Sequence, residues 1–356
     1  MTTETLTFRD IVYERHTKDH EEPRGTLYLL GGEGGPVRRK IVSFPHIRRV
    51  YRLEDGIKRL FGEDSFWAEE KLDGYNVRIF QFNGDLYAAT RGGFICPFTT
   101  EWARIWAEDE HLDAFFHDFP GHVLCAEVIG DNPYNAERDP DVAEGAHLYV
   151  FDICDEQGNF LLTRERYGLI RKYLIPAPPV FGEFSRQDMG RIYELLRDLN
   201  SRGREGVVLK SGTDNRVLKF VTPESDLKDI AANLQIGFDL SHGYFFNRYL
   251  RASLFVKELG LDQEVYARRI GQTFLQGTPP IEGFSGASET YVIFVLHPGT
   301  WDELHDQLKS RLLIACDEIS ETRLKGRIMQ RIVFRRIYQK SSHRYRRILQ
   351  GYLHQD

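Results

Sequence analysis

The sequence predicts an α+β protein: a central core of antiparallel sheets with helices, a small N-terminal module before it and helical C-terminal domains after it. Three observations carry this expectation. Short apolar runs rich in β-branched and aromatic residues recur between Phe66 and Phe220, with Gly, Asp and Asn between them, the pattern of strands joined by turns. Helix-start signals are few in that stretch. After residue 236 the apolar residues fall at helical spacing, with one strong strand from Tyr291 to Leu296.

In chain order, residues 1–60 read as a strand-rich module. Its Gly31-Gly32-Glu33-Gly34-Gly35 run is a loop rather than a phosphate cradle, because no Gly-Lys-Ser/Thr follows and no helix begins there. Residues 61–235 form the core. Phe66, Trp67 and Ala68 lead into Lys71, and Val77, Ile79, Phe80 and Phe82 continue beyond Asp73-Gly74, which reads as a hairpin. Trp102, Ile105, Trp106, Leu112, Phe115 and Phe116 mark one helix. Ser185 to Asp188 opens another as a capping box, and Thr222-Pro223 a third, with threonine as cap and proline in the first turn. Residues 236–298 contain two helical patterns, Leu240 to Leu259 and Gln263 to Phe274. Residues 299–356 read as basic helices, with Leu324, Ile328, Ile332 and Ile337 as an apolar stripe.

A chain of 356 residues can bury more than one core, and 41% hydrophobic with 28% charged residues is ordinary globular composition. The four cysteines are widely spaced without a C-x-x-C pair, so neither a disulfide framework nor a zinc site is expected, and a reducing cytoplasmic setting is. Met1 to Asp19 is polar, and no 18-residue apolar run follows, so neither secretion nor membrane insertion is expected. The net charge of −6 hides an uneven distribution. Arg323 to Gln355 contains ten Lys and Arg residues and no acid, and a smaller cluster runs through Arg38, Arg39, Lys40, Arg48, Arg49 and Arg52. Such patches bind polyanions or form solvated faces that offset acidic surface elsewhere.

The chemistry concentrates at Ala68-Glu69-Glu70-Lys71-Leu72-Asp73-Gly74-Tyr75-Asn76. A lysine amine is a nucleophile only without its proton, which a desolvated pocket shared with other cations favours. Such a pocket also holds phosphates. Further segments follow in order: Thr90-Arg91-Gly92-Gly93, Leu124 to Gly130 with Glu127 inside, Leu148 to Ile153 with Phe151, Glu205 to Lys210, and Arg216 to Phe220 with Lys219. Together these six segments, within residues 66 to 235, resemble the ordered motifs of the covalent nucleotidyltransferase superfamily of DNA ligases, RNA ligases and capping enzymes. The resemblance implies a nucleotidyltransferase core of the DNA/RNA ligase type and a lysyl-AMP intermediate on Lys71. It implies that Lys210 and Lys219 clamp the α-phosphate, that Arg91 meets ribose or triphosphate, and that Glu127 meets the ribose hydroxyls. Phe151 would lie against the base, Glu205 would hold Mg²⁺ or Mn²⁺ directly or through water, and Glu69 or Glu70 would recognise the adenine amino group.

Asn76, five residues after the lysine, is the discriminator: DNA ligases typically carry arginine there and RNA-joining enzymes asparagine. The mainly helical reading after residue 236 also departs from the barrel that DNA ligases and capping enzymes append. The whole chain resembles the archaeal-type, homodimeric ATP-dependent RNA ligases, which implies a homodimer with residues 236–298 as the helical dimerisation domain; Val217 stands where some RNA ligases have a second motif lysine. The expectation is therefore an ATP-dependent ligase that joins RNA 5′-phosphate and 3′-hydroxyl ends, with Asp73 and Asn76 serving the later steps. Arg335, Arg336, Arg346 and Arg347 are expected to contact RNA. The alternatives are a polynucleotide ligase that also acts on single-stranded DNA and a catalytically silent RNA-binding protein.

Overall fold

The computed structural model describes residues 3–19, 22–47, 49–138 and 141–352; Arg48 of the N-terminal basic cluster lies outside them. The chain opens with an antiparallel meander, β1 (Thr3–Phe8), β2 (Ile11–His16), β3 (Leu27–Leu30) and β4 (Val37–Ile41). The short helix α1 (Leu53–Leu60) leads to β5 (Phe66–Lys71), β6 (Tyr75–Phe82) and β7 (Asp85–Thr90). Then come α2 (Pro97–Asp109), α3 (Leu112–Asp118), β8 (Val123–Gly130), β9 (Ala146–Cys154), α4 (Thr163–Lys172), β10 (Val180–Phe184), α5 (Met189–Ser201), β11 (Gly206–Ser211), β12 (Val217–Val221) and α6 (Pro223–Asn233). The C-terminal part comprises α7 (Gly243–Glu258), α8 (Gln263–Gly277), β13 (Ser288–Val295), α9 (Pro298–Lys309), β14 (Ile314–Leu324), β15 (Arg327–Ile337) and α10 (Gln339–Leu349).

Two four-stranded antiparallel sheets make the core, ordered β10-β5-β11-β12 and β7-β6-β8-β9. The expected hairpin at Asp73-Gly74 is absent: β5 belongs to the first sheet and β6 to the second. Gly74 is instead required by close approach, since a Cβ there would lie 2.3 Å from the Val128 carbonyl oxygen. Strand alternation then sorts the side chains. Phe66, Ala68, Val207, Leu209, Leu218 and Phe220 bury one face of the first sheet against α1 and α5. The other face carries Lys71, Glu69, Lys210 and Lys219, with Glu69 opposite Val208 and Val208 opposite Lys219. In the second sheet Val77, Ile79, Leu124, Ala126 and Val150 pack on α2, which leaves Asn76, Arg78 and Glu127 on the face toward the first sheet.

The helical pattern from Trp102 to Phe116 is two helices, broken at His111, whose φ of 55° is left-handed. The larger correction is C-terminal. The basic helices expected after residue 299 are largely a β-hairpin, β14-β15, in a sheet ordered β13-β15-β14. Residues four apart share a face in a strand as well as in a helix, so Ile328 and Ile332 of β15 do not discriminate, and Leu324 extends the helical spacing only across the turn. The turn is Lys325-Gly326, with φ of 49° and 77°, a two-residue hairpin turn without the usual asparagine or aspartate. The boundary at 298 also separates β13 from its own sheet. Tyr291, Phe294, Trp301, Ile332 and Phe334 share one apolar core with α2 and the second central sheet.

Buried polar groups fix these units to one another. Arg78 donates to the carbonyls of Gly25 (2.8 Å), Thr90 (2.9 Å), Val42 (3.1 Å) and Ile41 (3.3 Å), tying the N-terminal meander to β6. Glu101 of α2 accepts from the backbone N–H groups of Leu296 (2.6 Å) and His297 (3.0 Å) and from the Thr300 hydroxyl (2.7 Å), which caps α9 across the interface. Among the described residues no helix is long and apolar enough to cross a membrane. Glu101→Ala would strand three donors in a dry interface, and the expected loss of stability is roughly 2–5 kcal/mol, measurable as a lower urea midpoint; a change below about 0.5 kcal/mol would contradict this role.

Candidate active site

A cavity of about 640 Å³ opens between the two central sheets, within the range of small-molecule sites. All eleven residues expected at a nucleotide site line it: Glu69, Glu70, Lys71, Asp73, Asn76, Arg91, Glu127, Phe151, Glu205, Lys210 and Lys219. Lys71 ends β5 and its Nζ is ion-paired with the carboxylate of Glu205, which precedes β11; Arg49 stands 3.9 Å from the same carboxylate. Lys219 is held in β12, where its carbonyl accepts from Val50 N–H at 3.1 Å. Burial, then the charge of Lys71, lowers the Lys219 amine to about 8. Asn76 sits directly opposite Glu127 in register, its Oδ1 is buried without a hydrogen-bond partner among the described residues, and its carbonyl accepts from Arg91 N–H at 3.2 Å. The Arg91 guanidinium lies 2.9 Å from His46 Nδ1.

Two carboxyls are held well above their ordinary range. Burial raises Glu127 to about 7, opposed by Lys71 and aided by Glu205. Burial, Glu205 and Asp229 raise Asp73 to about 7. Asp73, Glu137 and Asp229 each bring a carboxylate oxygen within 4.8 Å of the others, with Asp229 bound by Arg248 at 2.7 Å and Glu137 by Lys228 at 3.3 Å.

The floor of the cavity differs from expectation. Lys210 is engaged by protein groups: it is 3.1 Å from Glu69, 3.6 Å from Asp152, and donates to the Phe151 carbonyl. The Glu69 side chain is likewise engaged, accepting from Arg166, Lys210 and Tyr167 in a buried cluster. Glu70 points to the opposite face of β5 and pairs with Arg204 at 2.8 Å. Phe151 is the extra residue of a β-bulge, where the β8–β9 register jumps from Cys125–Asp152 to Ala126–Val150. Its ring meets Phe44 at 4.9 Å between centroids, edge to face, and forms part of the cavity wall. Sequence reasoning missed Phe44, Arg166, Asp229, Arg248 and the C-terminal Gln307 and Arg311. Each sits in a loop or helix with no local pattern, and only folding brings it to the site.

The four arginines expected to contact RNA lie outside the cavity. Arg335 is ion-paired with Asp317 at 2.6 Å, Arg336 lies over the Tyr338 ring at 4.6 Å, Arg346 donates to the Ser285 carbonyl, and Arg347 lies over Tyr352 at 5.4 Å. The acid-free run is thus partly neutralised by acids elsewhere, Arg327 by Glu108 and Asp109 and Arg331 by Glu318.

Residues 64–221 match the family model described as RNA ligase. Over the full length, the chain is similar to the solved structure of a putative ATP-dependent DNA ligase from Aquifex aeolicus, with 31% identity, a TM-score of 0.89, and 99% of this chain and 97% of that one covered. It is similar to an archaeal ATP-dependent RNA ligase at 28% identity and a TM-score of 0.87, covering 99% and 94% of the two chains. An uncharacterized protein of Methanocaldococcus jannaschii is 29% identical over 97% of this chain and 88% of its own length. The chain belongs to the archaeal-type ATP-dependent RNA ligase family. Within this RNA ligase fold, the nucleophile position and its charged neighbours fall on the two facing sheets, and the walls at the ends come from the N-terminal linker and the C-terminal unit.

Glu127 makes the electrostatics testable. Its folded value near 7 lies above its ordinary 4.5, so the folded chain keeps a proton that the unfolded chain has released. Stability attributable to this group is therefore complete below about 4.5 and lost as pH rises through 7. Glu127→Gln should raise the melting temperature at pH 8 more than at pH 5; equal shifts at both pH values would mean that ionisation in a buried setting is not the cause.

Proposed function

We propose that this chain is an ATP-dependent RNA ligase that acts through a covalent lysyl-AMP on Lys71. The observation that carries this reading is the convergence of Lys71, Glu205 and Lys219 from the first sheet and its edge with Arg91 and Asn76 from the facing one in a nucleotide-sized cavity. In the first step Lys71 Nζ, freed of its proton and of Glu205, bonds to the α-phosphorus of ATP as the bond to pyrophosphate breaks. Lys219 and Arg91 offset the charge on the phosphates, so that catalysis is chiefly positioning and neutralisation. The lysyl phosphoramidate then passes AMP to an RNA 5′-phosphate oxygen. A 3′-hydroxyl finally attacks that 5′-phosphate, and AMP leaves. Glu127 is the acceptor for the ribose hydroxyls and Phe151 the apolar surface for the base, which the bulge turns into the cavity.

Glu205, a hard carboxylate donor beside Lys71, is the residue assigned to hold Mg²⁺ or Mn²⁺, which when bound would add charge stabilisation to the transferring phosphate. The Asn76 amide, whose oxygen has no partner among the described residues, is assigned to the RNA-bound intermediate, with Asp73 beside it. Arg335, Arg336, Arg346 and Arg347 enter this reading only as outer contacts to the RNA backbone, to be read from the salt dependence of binding.

We assign α7 and α8 to a homodimer interface. Phe246 on α7, Phe274 and Leu275 on α8 and Ile281 beyond it are 51–81% exposed, more apolar surface than an isolated helix pair normally leaves in water. Sedimentation at micromolar concentration should give a dimer, and a monomer would remove this assignment. Buried free thiols at Cys96, Cys125 and Cys154 suit a reducing, cytoplasmic setting.

The central test separates the steps. Incubation with α-labelled ATP and Mg²⁺ should leave one AMP on each chain, and Lys71→Ala should reduce this below detection. Asn76→Ala should still accept AMP but seal 5′-phosphorylated RNA at least about tenfold more slowly, the equivalent of about 1.4 kcal/mol. Label persisting on the Lys71 variant would end the proposal, and faster sealing of single-stranded DNA than RNA would move it to the broader polynucleotide ligases.

A further inference from the structure

One wall of the cavity is supplied by the C-terminal unit, through Gln307, Leu308, Arg311 and Leu312 at and after the end of α9. This wall is fixed in place. Glu101 caps the start of α9, Trp102 Nε1 donates to the Phe294 carbonyl at 2.9 Å, and Gln307 Nε2 donates to the Ile95 carbonyl at 2.9 Å. The last contact sets Arg311 against Phe94, whose ring carries the Arg311 guanidinium at 3.3 Å and that of Arg15 at 3.9 Å. The two arginines differ in one respect. Arg15 is ion-paired with Glu4 at 2.5 Å and donates to the Gly92 carbonyl at 3.0 Å. Among the described residues Arg311 has no ion pair, and its guanidinium makes no hydrogen bond.

A cation fixed on an aromatic ring, facing a cavity and beside a second cation, is arranged for an anion the chain itself does not supply. We propose that Arg311 binds a phosphate at the end of the cavity walled by the C-terminal unit, one belonging either to the nucleoside triphosphate or to the RNA 5′ end. The positive setting is reflected in the group itself, since burial and then Arg15 pull Arg311 below its ordinary value. The charged neighbours of Lys219 are Lys71, Glu127, Glu205 and Arg91, whereas those of Arg311 are Arg15 and Glu4, so the two cations serve different stations of one cavity. The same loop, Thr90 to Phe94, carries Arg91, which places Arg311 where it can meet a phosphate beyond the one that Lys71 attacks.

This inference rests on the ligase reading above, and its test separates the two. Wild-type chain is first scored for transfer of AMP from ATP to Lys71; no transfer sinks the ligase reading itself. Arg311→Met keeps an unbranched side chain over Phe94 and removes the charge, and Arg311→Lys restores the charge. Charge loss at a phosphate contact should raise a KM by about tenfold with kcat changed far less, and the lysine variant should recover part of it. A higher KM for ATP in lysine adenylation assigns the triphosphate. A higher KM for 5′-phosphorylated RNA in sealing, with the ATP value unmoved, assigns the RNA phosphate. If the methionine variant matches wild type in both, or the lysine variant is as impaired as methionine, Arg311 is not a phosphate ligand.

Discussion

The two central sheets are held face to face by a buried charge cluster beneath the nucleotide cavity. Glu69 and Lys210 come from the first sheet, Asp152 from the second, and Arg166 from α4. Two cations and two carboxylates balance, which is the condition under which burying charge is tolerable at all. Their geometry is completed by the bulge at Phe151. A bulged residue loses its partner in the ladder, and here its carbonyl is taken up by Lys210 and Arg166. The same device turns the Phe151 ring into the cavity. Support and site are therefore one arrangement, and removing any single member leaves an unpaired charge in a dry setting.

Above this cluster the charge pattern has the opposite character. Lys71 is balanced by Glu205, but Lys219 is held below its ordinary value and Glu127 and Asp73 above theirs. Burial is the leading cause in all three. Groups moved toward neutrality are typical of sites that wait for a charged ligand, because a phosphate or a divalent cation supplies what the protein leaves uncompensated. The floor is saturated and the walls are not, so one cavity holds both paired charge and charge that burial leaves uncompensated.

Much of the site was legible because its chemistry is carried by strands in sequence order. Lys71, Asn76, Glu127, Glu205 and Lys219 are singled out by the ordered motifs and the resemblance those carry, and all five line the cavity. The roles of their neighbours were less legible. Lys210 looked like a free cation because its partners lie elsewhere in the chain: Glu69 at a separation of more than a hundred residues and Asp152 in the other sheet. Asp73-Gly74 looked like a hairpin turn because glycine after aspartate usually is one; its actual cause, the Val128 carbonyl 2.3 Å from a would-be Cβ, exists only once β8 is in place. The C-terminal hairpin resembles a helix in sequence because Ile328 and Ile332, four apart, satisfy both periods and the Lys325-Gly326 turn lacks the customary residues.

By itself the sequence determined the order of the motifs, the α+β class and the placing of Lys71 and Asn76, whose expected roles come from the resemblance those motifs carry. These are properties of residue type and local spacing, which do not depend on what packs against them. Tertiary structure alone decided which charges neutralise each other, which carboxyls burial pushes up, and that a distant helix end delivers Gln307 and Arg311 to the cavity wall. The reason is physical: desolvation and Coulomb energy depend on distances between groups that the chain joins only by folding, and no local pattern records them.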